Sequence, residues 1–229
     1  MADFEIKNGV AVIPEGTTTI GEDAFEGCTS LQSITIPDGV TEIGESAFWC
    51  CSSLESITIP EGVTEIGMNT FRACSSLQSI TIPESVTKIG ELAFSFCSSL
   101  QSITIPEGVT EIGWCVFGDC ISLQSITIPK SVTEIGIDAF YRCSSLQRIV
   151  IPKGVKKIEK FAFFDCTALT TVTMPVGVNK FDDTSFDECK ALTTIYVPAK
   201  KTDYYKRRLP EKLHSLIVEL QPEKKAKKK

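Results

Sequence analysis

One histidine, His214, two tryptophans and three methionines are spread through 229 residues. With no imidazole near any recurrent serine, those hydroxyls lack a general base, and no catalytic residue is expected. His214 reads as a residue of a terminal cap. No GxGxxG or GxxxxGK[ST] segment occurs, which excludes the common phosphate-cradling loops. No CxxC pair accompanies the histidine, so four convergent zinc ligands are missing, and neither a metal nor a cofactor is expected. No run approaches about eighteen consecutive apolar residues, so no membrane span is expected. The opening MADFEIKNGV has no basic region followed by an apolar run, which gives an expectation of a cytoplasmic location. A net charge of -6 leaves no general basic face and argues against nucleic acid as a partner.

What the chain does have is a period. Leu recurs at positions 31, 54, 77, 100, 123, 146, 169 and 192, each 23 residues after the last. Phe keeps the same step from Phe25 to Phe186, Cys from Cys28 to Cys189 and Pro from Pro14 to Pro198. Eight units can be written LxSITIPxGVTEIGxxAFxxCSS, and a step without insertions means that each is one coil of a solenoid stacked on its neighbours. Hydrophobic content of 42% and a mean hydropathy of +0.09 suit a well-cored chain.

Within a unit, Leu31, Ile34 and Ile36 alternate with Gln32, Ser33 and Thr35, the pattern of a strand with one wet face. Pro37 ends the strand, and Ile36-Pro37-Asp38-Gly39 reads as a type I turn. Ser85 and Ser131 stand in the Gly39 column, so no positive φ is required there. Val40 and Ile43 point a second short extended segment inward, and Ala47-Phe48 opens a helical or irregular turn. About eight side chains per coil are then buried, at roughly 1.5–3 kcal/mol for each large one. The expected fold class is a β-rich solenoid, a superhelix with one parallel sheet, short second strands and helical turns, rising about 4.8 Å per coil.

The repeat resembles the BspA-type leucine-rich repeat family, whose unit is LxxIxIPxxVxxIGxxAFxxCxx, across residues 14–198. Departures are local: Glu159 and Asp182 replace the Gly of IG, and Thr17 stands where Val is usual. The resemblance implies a non-enzymatic protein-interaction or adhesion scaffold with a protein ligand, including host or cell-surface proteins, and a surface or secreted location as the alternative. The second reading is a structural, self-assembling array, natural or near-consensus engineered. The chain is otherwise expected to be a monomer.

Both ends need covers. Residues 1–13 are expected to form a hairpin cap around Asn8-Gly9, residues 14–198 the eight coils, residues 199–220 a helix and closing strand, and residues 221–229 a disordered Lys-rich tail. In the closing strand, Leu213, Leu216 and Val218 repeat the spacing of Leu192, Ile195 and Val197 at a step of 21.

Eight of the ten cysteines occupy one column and are read as small buried hydrophobes. A disulfide ladder is disfavoured because adjacent ladder positions have parallel Cα–Cβ directions. Cys50 and Cys115 stand outside the column, and so many thiols favour a reducing compartment.

If packing dictates the core columns, recognition must lie in columns that vary. The Thr35 column is nearly uniform. The column after the ladder Phe includes Trp49, Arg72, Tyr141 and Phe164, the next includes Phe96 and Arg142, and the column after the IG pair includes Trp114 and Ile137. Trp49, Phe96, Trp114, Ile137, Tyr141, Arg142, Phe161 and Phe164 are therefore the candidate partner-binding patch, since Trp, Tyr and Arg dominate interface anchors. The alternative is that these rings fold down and extend the core.

Overall fold

The computed structural model describes residues 4–221. The Lys-rich tail, residues 222–229, lies outside the described residues. Among those described, no helix is long and apolar enough to cross a membrane.

The repeats form a solenoid of about nine turns. Each turn contributes a strand such as Ser56–Thr58 and a two-residue strand such as Glu65–Ile66, and both kinds pair with their equivalents 23 residues away, in parallel and in register. There are therefore two parallel faces, the short second strands forming their own ladder. Ladder Phe rings stack from Phe4 to Phe186 with centroids 5.1–5.6 Å apart. That spacing exceeds the roughly 4.7–4.9 Å of hydrogen-bonded strands. The long-strand ladder closes in blocks, Ser56–Thr58 with Ser79–Thr81 and Ser102–Thr104 with Ser125–Thr127, while the Phe side is hydrogen-bonded at each coil boundary from Phe25 to Phe163.

The core is one contiguous cluster. In the coil that begins at Leu31 the inward side chains are Leu31, Ile34, Ile36, Val40, Ile43, Ala47, Phe48 and Cys51, the eight columns expected. Thr70 takes the Ala47 column fully buried, and its hydroxyl donates to the Gly67 carbonyl at 2.9 Å, which satisfies the group that burial would otherwise penalise.

Two local expectations are corrected. The proline turn lies one residue later than read: Val40 N–H donates to the Pro37 carbonyl at 3.1 Å, so Pro37 opens the turn instead of taking its second position. Val40 is buried and its N–H must find a partner, whereas Gly39 is exposed. Gly39 has no positive φ, as the serines in its column required.

The second correction is at the closing strand, Ile217–Glu219, which follows a helix at Thr202–Lys206 and a 3-10 turn at Glu211–Leu216. It pairs Ile195 with Ile217 and Tyr196 with Val218, a step of 22 instead of 21. Val218 therefore points outward and is exposed, and Ile217 takes the inward place. The cap helix before it is docked on the coils: Tyr205 is buried with its hydroxyl on the Pro175 carbonyl, and Tyr204 donates to the Val178 carbonyl at 2.9 Å. At the other end Ile6 pairs with Ala11 and Lys7 with Val10 in an antiparallel hairpin, with Asn8 and Gly9 both at positive φ.

Candidate partner-binding surface

In the coils from Phe25 to Phe163, the turn that carries the ladder Phe contains two left-handed positions, two residues before and two residues after the ring. In one coil these are Leu92 and Phe96 around Phe94; in another, Asp138 and Arg142 around Phe140. Glycine would adopt such backbone freely, yet of these positions only Gly27 is glycine. Hydrogen bonds across each coil boundary hold them: Phe96 N–H donates to the Gly118 carbonyl and Arg142 N–H to the Phe164 carbonyl, both at 2.8 Å. Three expected patch residues, Phe96, Arg142 and Phe161, thus sit on over-determined backbone that projects their side chains away from the buried ring.

None of the eight expected residues is in the buried core. Phe96, Trp114 and Ile137 are 44–46% exposed, Arg142 is exposed, and Trp49, Tyr141, Phe161 and Phe164 are half-buried. The structure draws them into two clusters. Tyr141 stacks on Phe164 with centroids 5.3 Å apart, and Phe161 meets Phe164 edge-on at 5.3 Å. Arg142 beside them binds Asp119 at 2.9 Å and lies 3.7 Å from Asp165. The second cluster is Trp49 and Phe96, bridged by a residue missing from the expected set. The Arg72 guanidinium stands 5.7 Å from the Trp49 ring centroid and 6.0 Å from that of Phe96. The available signal was a cation one coil after Trp49 in the same column and one coil before Phe96. Trp114 and Ile137 occupy adjacent coils of one column between the clusters, so the rings spread along roughly 25 Å of the solenoid.

Local charge is set by burial and pairing. Partial burial raises the Asp138 carboxyl above its ordinary range, opposed by the Trp114 Nε1–H, which donates to it at 3.4 Å, and by Lys160. Burial also raises Asp119, opposed by Arg142. Burial pushes up the Cys115 thiol, with Ser95 opposing. Such a surface offers flat rings, two guanidinium groups and carboxylates at its rim, a composition suited to anchoring another protein. His214 lies elsewhere, in the 3-10 turn of the cap, with Nε2 2.9 Å from the Leu209 carbonyl.

The family described as "BspA type Leucine rich repeat region (6 copies)" matches residues 6–121 and 93–208. Repeat scaffolds of this kind are generally non-enzymatic. No curated protein matches. A solved leucine-rich repeat protein of T. pallidum is 30% identical over 81% of this chain and 78% of that chain, with a TM-score of 0.56. A leucine-rich repeat protein from Bacteroides ovatus is 28% identical over 92% of this chain and 69% of that chain, with a TM-score of 0.49. A leucine rich cell surface protein from Faecalibacterium prausnitzii is 26% identical over 86% and 80% respectively, with a TM-score of 0.42. Matched along most of its length and built of in-phase 23-residue coils, the chain belongs to the BspA-type leucine-rich repeat family.

Proposed function

We propose that the chain is a non-enzymatic protein-binding module whose protein partner docks on the Phe-turn surface formed by Trp49, Arg72, Phe96, Trp114, Tyr141 and Phe164. The observation that carries this reading is the exposure of Phe96, Trp114 and Ile137 on nearby coils, with Arg72 and Arg142 set among the rings. A solenoid can bury its variable turn residues by choosing small or polar ones, as Ser95 and Gly118 do in the same columns. Large rings left open in a row cost solubility without adding to the shared core, which is the usual mark of an interaction surface. A family role in protein interaction and adhesion agrees with it.

The test is side-by-side capture by the intact protein and the triple variant Trp114→Ala, Tyr141→Ala, Phe164→Ser. The circular dichroism spectrum and thermal midpoint serve as controls for folding. Bound proteins identified by mass spectrometry should be lost from the variant while its fold persists. Equal capture by a folded variant would remove this surface as the docking site.

A further inference from the structure

Two apolar patches lie at opposite ends of the long-strand face. At the N-terminal end Val10 and Val12 are exposed, Val12 standing in the outer column opposite Thr35 at 64% exposure. At the C-terminal end Val150, at 63%, and Val176 and Leu220 wall a trough of about 880 Å³ floored by Ile151 and Met174. Between the patches the outer column is threonine. The column that follows each proline also changes along the rod: Asp38, Glu61, Glu84 and Glu107 give way to Lys130 and Lys153, both of which border the trough. The same asymmetry runs through the chain. Residues 1–115 carry 3 Lys or Arg against 16 Asp or Glu, and residues 116–221 carry 15 against 12, that is -13 and +3.

We infer that the long-strand face is covered by a second copy of this chain, running antiparallel about a two-fold axis that lies in the plane of contact and crosses the rod at right angles. Such an axis runs each column of the face against itself in reverse. Counting coils from Val12 at one end to Val218 at the other, a single register sets Val12 against Val218, Glu84 against Lys153 and Glu107 against Lys130. The charge column carries this alignment, in which Val12 meets Val218 while Val150 of the trough faces Thr81. The Glu84 carboxylate leans along this column, its Oε2 accepting from the Glu107 backbone N–H at 3.3 Å. A face of roughly 40 by 15 Å buries about 600 Å² per copy, the lower end of what specific complexes use, so a micromolar, salt-sensitive dimer is expected. It leaves the Phe-turn surface free, and either proposal can fail without the other.

Sedimentation velocity of the full chain from about 5 to about 500 μM, in low and high salt, reads the association directly. A reversible dimer that weakens with salt is expected. Small-angle scattering should give it a longest dimension close to that of one copy. Lys130→Glu with Lys153→Glu, and separately Glu84→Lys with Glu107→Lys, should each raise the dimer dissociation constant at least about tenfold, because each sets like charges against one another at both pairs. An equimolar mixture of the two folded variants should associate again. A monomer at all concentrations, a dimer nearly twice as long as one copy, or a mixture that stays monomeric would overturn the proposal.

Discussion

The Cys97 thiol donates to the backbone carbonyl of Phe71 at 3.1 Å, across one coil boundary. Seven ladder thiols, from Cys51 to Cys189, make this bond at 3.0–3.2 Å. The column therefore fastens each coil to the ring of the one before, besides filling the space between them. Cys97→Ala is expected to cost about 1–2 kcal/mol through a small void and the lost bond, with no effect at the Phe-turn surface. Chemical denaturation of the variant measures it, and an unchanged midpoint would mean that the thiol neither fills the space nor fastens the coils.

Burial also makes the ladder a determinant of alkaline stability. The ordinary thiol value is 9.0; Cys51 is pushed up to about 12, and Cys74, Cys97, Cys143 and Cys166 well above 9.0, chiefly by desolvation. A thiol raised in the fold stabilises fully below its unfolded value and loses that contribution as pH climbs toward the folded one. Each should therefore withdraw about 1.4 kcal/mol per pH unit above about 9. With several acting together, the thermal midpoint should hold to pH 9 and fall steeply above it. A midpoint that stays flat to pH 10.5 would contradict this.

Thiol labelling separates the same groups by access. Cys28, Cys50 and Cys115 are half-buried and all ten cysteines are free thiols. An aromatic disulfide reagent should modify at most these three in the native protein and all ten after denaturation. Mass spectrometry showing native modification at Cys97 or Cys120 would place the ladder in a more open fold.

Two glycines of the same column should behave differently. A Cβ on Gly90 would lie 2.6 Å from the backbone of Gly67 and Met68, whereas one on Gly113 would meet only the Glu91 side chain at 3.8 Å. Gly90→Ala is expected to destabilise by about 2–3 kcal/mol, since one coil must move off another. Gly113→Ala should be neutral or gain up to about 1 kcal/mol by stiffening the unfolded chain. Equal effects in urea unfolding would rule out the close approach as the reason for glycine.

The period, the eight inward columns and the family were legible because burial imposes one residue type at one step, and the sequence shows that regularity without any coordinates. The variable columns also named Tyr141, Phe161 and Phe164, whose rings the structure brings into contact. Other features depended on geometry that a hydrophobic pattern does not encode. The closing strand lies one residue from the expected register because three successive apolar residues, Leu216, Ile217 and Val218, suit two registers, and the pattern does not choose between them. The left-handed backbone at Phe96 and Arg142 was hidden because inter-coil hydrogen bonds impose it on residues that do not favour it.

Composition and periodicity by themselves determined that this chain stacks coils around one core, since only repetition lets units too small to fold alone share their buried faces. Tertiary structure decided which way each variable side chain faces. It set Arg72 between Trp49 and Phe96, turned Val218 outward, and brought apolar ends and opposite charges onto one face, because those outcomes depend on backbone turns and caps that sum over many coils.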